Sequence, residues 1–372
     1  MGFEKRSADR NWARPRHNES ARGPGWGCAE DTARPGRRES AATRAYHSPA
    51  VPTDIRPIEP ADLDGAATLL ADRHRRHRLA EPLLDPAYED PSAARTEIEK
   101  LLAVEGAAGW TARRDGAVVG YVIGTAKTDA TWGRNVWVDP AGHAATGPDV
   151  VRALYQVAAD AWAREERFNQ HVLVPATDAD LVDAWFTLDF GQQHVHAVRE
   201  NPPADFGVVP RSELRIRRAT RNDIPVLAEL ELVLPRHMVG APVFSKLPIQ
   251  PIEEILEEIK GDFGDPKYMR LEAEHDGKVV GDAIGLSLEH SPGNSSLIRP
   301  ASAGFLGYAA VLPEARGLGV GRALGEAVMG WSRDAGYVAV ATDWRSTNIE
   351  ADRTWRALGF RPTFRRLHRL IG

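Results

Sequence analysis

Apolar and polar positions follow two different periods in the last third of the chain. Residues 304–311 form an apolar run that ends shortly before Pro313, as expected for a buried β-strand. From Ala323, apolar residues recur at spacings of three and four through Trp331, which is typical of one face of an α-helix. The pattern therefore predicts a strand, a turn and a helix in this order.

The flanking chain continues the same alternation of strands and helices. Apolar strand patterns cover residues 337–342 and the closing segment 364–370, and residues 252–259 read as an amphipathic helix. Strands joined by a helix are parallel and form a right-handed crossover, whereas strands joined by tight turns are antiparallel. The predicted fold class is therefore α/β with a mixed sheet.

Two parts of the pattern occur twice with the same separation. Residues 115–124 resemble residues 276–285, and each reads as a β-hairpin with Asp-Gly at its turn. Residues 54–63 resemble residues 215–224, and each reads as a short strand followed by a polar turn and a helix. Both pairs are 161 positions apart. An internal duplication follows.

A third pair completes the duplication near the end of each copy. The segment Trp185–Phe190 resembles Trp355–Phe360. We therefore predict two domains of one type, at residues 53–200 and 213–372. The proline-containing segment 201–212 is the expected linker.

Composition limits where this protein acts and what it binds. Residues 1–50 carry ten Lys or Arg against six Asp or Glu and few aliphatic residues, so we expect a disordered tail there. The net charge of −5 argues against a nucleic-acid partner. No apolar run reaches the roughly 18 residues of a transmembrane helix, so no membrane partner is expected.

The metal-ligating side chains are sparse. Cys28 is the single cysteine of the chain, which excludes an internal disulfide and a cysteine metal cluster and fits a cytoplasmic location. His194 and His196 share a strand face without an evident third ligand. No metal is therefore expected.

The turn before the predicted helix has the features of an anion-binding loop. It reads Arg316-Gly-Leu-Gly-Val-Gly321 and is followed by Arg322. Glycines let the backbone approach a ligand closely, and the free amides at a helix N-terminus attract negative charge. The two arginines add charge-assisted contacts.

The loop differs from two common phosphate-binding motifs. A kinase-type phosphate loop requires Gly-Lys-Ser/Thr, whereas Arg322-Ala323 follows Gly321 here. A dinucleotide fold requires an acidic residue about twenty residues further on, and Asp343 lies near that distance. Spacing alone leaves this alternative open, but glycines at 317, 319 and 321 do not fit the order G-x-G-x-x-G. An ordinary glycine turn is the simplest alternative.

The loop resembles the R/Q-x-x-G-x-G/A pyrophosphate loop of the GCN5-related N-acetyltransferases, the GNAT superfamily. Residues 348–351 and 355–360 resemble the N-x-x-A … Y-x-x-x-G-F segment of the same family, in the same order along the chain. The resemblance implies two tandem GNAT-like domains. It also implies an acyl-CoA-dependent N-acyltransferase, with acetyl-CoA as co-substrate and an amine of a small molecule or peptide as acceptor. By the same resemblance, the cofactor contacts are Val311, Arg316, Gly317, Leu318, Gly319, Val320, Gly321, Arg322, Asn348 and Trp355.

The catalytic groups are harder to assign than the cofactor loop. A base is required because an ammonium group has no lone pair, and Asp343 at a predicted strand end is the first candidate. Glu289 and Asp282 are the alternatives. Trp355 replaces the tyrosine that the family uses as an acid, and an indole N–H does not ionise near neutral pH; Tyr308 is the proposed substitute. A non-catalytic acyl-CoA-binding module is therefore the alternative function.

The first copy has lost the glycine loop in an ungapped comparison. This comparison sets His143–Pro148 against residues 316–321, so that two of the three glycines are missing and Pro148 offers no N–H. We expect the first copy not to bind the cofactor. The acceptor is expected to contact residues 232–268 and 286–302 of the second copy.

Overall fold

The computed structural model describes residues 53–203, 214–245, 249–291 and 296–372. The predicted tail at residues 1–50 lies outside the described residues, as does all but the first part of the predicted linker 201–212.

The first half of the described chain follows the predicted order of strands and helices. Its strands are β1 (Asp54–Pro57), β2 (Ala107–Arg114), β3 (Ala117–Asp129), β4 (Gly133–Val138), β5 (His143–Ala145), β6 (Asn169–Pro175) and β7 (Gly191–Glu200). Its helices are α1 (Leu63–Ala80), α2 (Pro91–Leu102), α3 (Pro148–Arg164) and α4 (Ala179–Phe186).

The second half repeats this order. Its strands are β8 (Leu214–Arg218), β9 (Tyr268–His275), β10 (Lys278–Ser287), β11 (Ala303–Val311), β12 (Ala339–Arg345) and β13 (Arg361–Leu370). Its helices are α5 (Ile224–Glu231), α6 (Val233–Val239), α7 (Ile252–Asp262), α8 (Val320–Asp334) and α9 (Ile349–Ala357).

The duplicated Asp-Gly turns are confirmed as tight hairpins. Asp115 and Gly116 have φ angles of 50° and 80°, and Asp276 and Gly277 have φ angles of 50° and 72°. Two consecutive residues with positive φ form the turn whose twist matches that of the flanking strands. The local sequence therefore fixes the register of β2 with β3 and of β9 with β10.

All strands of the two halves join one mixed sheet. The order is β1-β2-β3-β4-β6-β13-β7-β12-β11-β10-β9-β8, and β5 pairs with β3 outside this path. β13 lies between β6 and β7, and β7 pairs with β12 as well as with β13. The last strand of each half is thus inserted beside the other half, so the sheet does not divide where the predicted domains meet.

The core of the second half lies between the sheet and helix α8. Val320, Leu324 and Val328 are buried against strands β9 to β12, in the predicted helical spacing. Burial of such side chains contributes about 1.5–3 kcal/mol each relative to exposure. This packing holds the N-terminus of α8 at the end of β11, where the glycine loop is located.

Candidate active site

Strands β11 and β12 separate at their carboxyl ends. They pair in parallel from Ala303 to Leu306 on β11, and beyond this point β11 pairs only with β10 among the described residues. Gly307 forms a bulge in β11, because Leu306 and Tyr308 face consecutive residues of β10. A cavity of about 410 Å³ lies at the carboxyl end of β11.

The cavity has three walls. The sheet wall consists of Ala309, Ala310 and Val311. Residues of the loop and of the first turn of α8 form the second wall. The third wall consists of residues of α6 and residues at the start of α9.

The glycine loop has the backbone geometry that the sequence predicts. Gly317 and Gly319 have φ angles of 83° and 80°, a region that side-chain-bearing residues avoid. Gly319 is the N-cap of α8, whose first i to i−4 bond runs from the N–H of Ala323 to Gly319 O at 3.0 Å. The amides of the first turn therefore have no partner within the helix and lie at the cavity. The arrangement suits an anion.

The structure brings most of the predicted cofactor contacts together. Val311, Arg316, Gly317, Gly319, Val320, Gly321, Arg322, Asn348 and Trp355 all line the cavity. Leu318 is not among the lining residues, and 44 % of its surface is exposed. Arg322 Nε donates to the buried Glu326 at 2.8 Å, so this arginine is held along its own helix.

Asn348 and Trp355 occupy the start and the middle of α9. Oδ1 of Asn348 accepts a hydrogen bond from the N–H of Ala351 at 3.2 Å, so the side chain caps the helix. Trp355 is buried between α8 and α9, where its ring approaches Gly325. Their contacts to a cofactor remain predictions.

The two predicted catalytic residues do not line the cavity. Asp343 lies on β12 with Oδ1 2.9 Å from Nε2 of His194 on β7. Burial raises the pKa of Asp343, but His194, His196 and Arg366 outweigh this effect and hold it at about 2. A carboxylate with so low a pKa is poorly matched to taking a proton from an ammonium group near neutral pH.

Tyr308 packs against α5. Its hydroxyl donates to Leu230 O at 2.8 Å, and burial together with nearby carboxylates raises its pKa. Neither Tyr308 nor Asp343 is among the residues that line the cavity, and their catalytic roles remain predictions.

Of the two alternative bases, Glu289 is exposed and Asp282 is fully buried. Asp282 lies directly across from the cavity-lining Ala310, and neither of its carboxylate oxygens has a hydrogen-bond partner among the described residues. Burial raises its pKa to about 8, although Arg270 acts in the opposite direction.

Sequence reasoning missed the wall formed by α6 and the charged first turn of α9. Val233, Leu234 and His237 line the cavity from α6, and Glu350 and Arg353 line it from α9. The spacing of the three α6 residues places them on one helix face, which was a signal available in the sequence. His237 falls within the segment 232–268 that was expected to contact the acceptor.

The first half lacks the loop altogether, and the ungapped comparison of the two loops is wrong. His143–Ala145 form strand β5 and pair with the residues of β3 that correspond to the β10 partners of Ala309–Val311. Only Thr146 and Gly147 separate β5 from α3, whereas residues 312–319 separate β11 from α8. Strand pairing, which the ungapped comparison ignored, sets the correct register.

In the first half, Arg73 contacts the backbone at the position that corresponds to the cavity-lining end of β11. Arg73 of α1 is 3 % exposed, and its Nη2 donates to Pro140 O at 2.6 Å. Its Nη1 donates to the carbonyl of His143, the counterpart of the cavity-lining Ala309. Arg73 thus occupies one carbonyl of β5 and one just before it.

Known proteins resemble this chain in sequence and in fold. The model of the acetyltransferase (GNAT) family matches residues 241–360. An aminoglycoside N(6′)-acetyltransferase type 1 of Stenotrophomonas maltophilia is 34 % identical over 150 residues, which cover 40 % of this chain and 88 % of that protein. The chain belongs to the GNAT acetyltransferase family.

Solved structures extend the likeness of this GNAT protein over both halves. A GCN5-related N-acetyltransferase from Sphaerobacter thermophilus has a TM-score of 0.52 at 18 % identity and covers 85 % of this chain and 95 % of its own. The glucosamine N-acetyltransferase region of a fungal GH3 β-N-acetylglucosaminidase has a TM-score of 0.51 at 15 % identity and covers 86 % of this chain and 38 % of its own. The predicted fold, a mixed α/β sheet with two tandem GNAT-like halves, is confirmed.

The described residues show neither a membrane-spanning helix nor a cluster of metal ligands. None of its helices there is both long and apolar enough to cross a membrane. No group of three or more His, Cys, Asp or Glu side chains there is arranged to hold a metal ion.

Proposed function

We propose that this protein is an acetyl-CoA-dependent N-acetyltransferase that acetylates an amine of a small molecule. The observation that carries the proposal is the cavity at the separated ends of β11 and β12, which brings the glycine loop, Asn348 and Trp355 together. GNAT proteins use acyl-CoA, and the cavity combines first-turn amides, Arg316 and an apolar sheet wall. These features suit the diphosphate and the pantetheine arm of such a ligand.

The catalytic domain in this proposal is residues 213–372, and residues 53–200 form a domain that does not bind CoA. Two observations support the division of roles: residues 312–319 have no counterpart in the first half, and Arg73 bonds the strand that would face a ligand. The first half would then support the catalytic half through the shared sheet.

The acceptor class is proposed from the relative of known activity. The matched protein is named as an aminoglycoside N(6′)-acetyltransferase, so aminoglycosides with a free 6′-amine are the first acceptors to test. In the reaction, the amine nitrogen forms a bond to the thioester carbonyl carbon, the C–S bond breaks and CoA leaves as the thiol or thiolate. The chain has to orient the two reactants and accept the proton that the ammonium group loses.

The proposal is tested by following thiol release from acetyl-CoA with a panel of amines that includes aminoglycosides, spermidine and a short peptide. Gly319→Pro is expected to abolish release, because proline cannot adopt a φ of 80° and would distort the loop at the start of α8. Gly336→Pro is the matched control, since Gly336 has a φ of 84° beyond the other end of α8. Equal rates in the wild type and Gly319→Pro would refute the site; circular dichroism confirms that each variant is folded.

A second candidate function is acyl-CoA binding without turnover. It is favoured by the position of Asp343 and Tyr308 outside the cavity lining and by Trp355 at the place of the family's tyrosine. This function predicts that acetyl-CoA raises the melting temperature while no amine releases thiol. Turnover with any amine of the panel excludes it.

A further inference from the structure

One carboxylate bridges two basic side chains at the cavity. Oε1 of Glu350 lies 3.5 Å from Nη1 of Arg316, and Oε2 lies 3.4 Å from Nε2 of His237. The three side chains come from α9, from the loop before α8 and from α6. We call this arrangement the clasp, because it connects the loop, α6 and α9 at the cavity.

The charges around the cavity explain why a carboxylate sits between these groups. Among the described residues that line it, Arg316, Arg322 and Arg353 are cationic, and Glu350 is the one carboxylate. Arg322 is already paired with Glu326. Glu350 thus supplies negative charge beside the loop whose amides and arginine are arranged for an anion.

We infer that Glu350 takes the place of the anionic group of the ligand, and that binding of the CoA diphosphate displaces Glu350 and makes His237 a second basic contact from α6. This inference rests on the proposed function, because it takes CoA as the ligand of the cavity. It adds to the loop a contact from the opposite wall, which neither the motif nor the family resemblance names.

The geometry of the clasp allows it to open. The side chain of Glu350 is 57 % exposed and that of Arg316 is 35 % exposed, so water screens their attraction. Both distances are long for ion pairs, whereas charge-assisted hydrogen bonds to phosphate are shorter. A diphosphate carries more negative charge than one carboxylate. Contacts of Arg316 and His237 with the diphosphate are therefore more favourable than their contacts with Glu350.

The position of Glu350 in its helix also favours its negative charge after the ligand has displaced it. Glu350 lies in the first turn of α9, where the helix dipole favours a negative side chain. The carboxylate can therefore turn towards solvent without losing its favourable position.

The experiment compares CoA affinity by isothermal titration calorimetry in the wild type, Glu350→Gln, His237→Gln and Glu314→Gln. Glu314 is the matched control: it is an exposed glutamate just before the loop and does not line the cavity. Glu350→Gln is expected to tighten CoA binding roughly two- to five-fold, because it removes the competing charge of an exposed pair.

The second variant tests the role of the imidazole. His237→Gln is expected to weaken CoA binding roughly two- to five-fold, because it removes the basic contact from α6.

The outcomes separate the two proposals. If CoA binds and the Glu350 and His237 variants behave as Glu314→Gln does, the clasp is refuted and the cofactor site stands. Weaker binding in Glu350→Gln would also refute the clasp, since Glu350 would then support the ligand. If no form of the protein binds CoA, both the proposed function and the clasp are overturned.

Discussion

Two glycines of helix α8 allow the packing around Trp355 to be tested with a single added methyl group. A Cβ atom at Gly325 would lie 2.6 Å from Cδ1 of Leu358 and 3.0 Å from Cζ3 of Trp355. A Cβ atom at Gly330 would meet only the end of the flexible Arg333 side chain, at 4.0 Å. Gly325→Ala and Gly330→Ala thus make the same change in one helix, with and without a clash.

The magnitude follows from two opposing effects. Alanine is favoured over glycine in a helix by about 1 kcal/mol, and this gain applies to both variants. At Gly325 the clash cannot be relieved cheaply, because Leu358 and Trp355 are both buried, and overpacking of this kind costs about 1–3 kcal/mol. Gly330→Ala should therefore raise the free energy of unfolding. The free energy of unfolding of Gly325→Ala should be about 1–3 kcal/mol lower than that of Gly330→Ala.

The assay is urea unfolding of the two variants side by side, followed by circular dichroism, with comparison of midpoints at unchanged slope. Because Trp355 also lines the cavity, Gly325→Ala should weaken CoA binding, whereas Gly330→Ala should not. Equal stability of the two variants would show that α9 adjusts to the added methyl group without cost, and would refute close packing of Trp355 and Leu358 against Gly325.

The remaining predictions concern buried charges in each half. Arg73→Met removes the donor to the carbonyls of Pro140 and His143 and should lower the free energy of unfolding by about 1–3 kcal/mol. Arg76→Met, at an exposed position on the same helix, should leave it unchanged. The affinity for CoA should be the same in both variants, and a loss of affinity would place a cofactor site in the first half. Asp282 has a pKa of about 8 when folded against an ordinary value of 3.8, so the folded state holds the extra proton and stability falls as pH rises from about 4 to 8. Asp282→Asn should flatten this fall in urea midpoints measured at pH 5, 6.5 and 8, and an unchanged slope would show that Asp282 ionises normally in the folded protein.

Local sequence predicted the parts of the fold that local physics determines. The Asp-Gly turns, the helical spacing in α8 and the strand before the loop depend on residues close together in the chain, and each is found where expected. The glycine loop was recognised for the same reason. Its positive φ angles at Gly317 and Gly319 follow from residue type.

The environment of Asp343 depends on a contact between the halves, which local patterns do not contain. β12 continues two residues beyond Asp343, so the predicted strand end is wrong, and the side chain of Asp343 bonds to His194 of β7 in the other half. The α6 residues lie within the segment expected to contact the acceptor, but they were not singled out, because their shared helix face does not by itself tell whether it packs on a core or borders a cavity. The loop comparison failed because strand pairing, rather than residue-by-residue alignment, sets the register of β5.

The insertion of β13 between β6 and β7 has a consequence for synthesis on the ribosome. β6 and β7 are made early, but the strand that joins them is made only after the whole second half has emerged. Until then both strands present unpaired edges, which are prone to pair with other chains. Closing contacts between such distant residues is also slow. Nascent chains that stall before β13 should therefore be the species of this protein most dependent on chaperones.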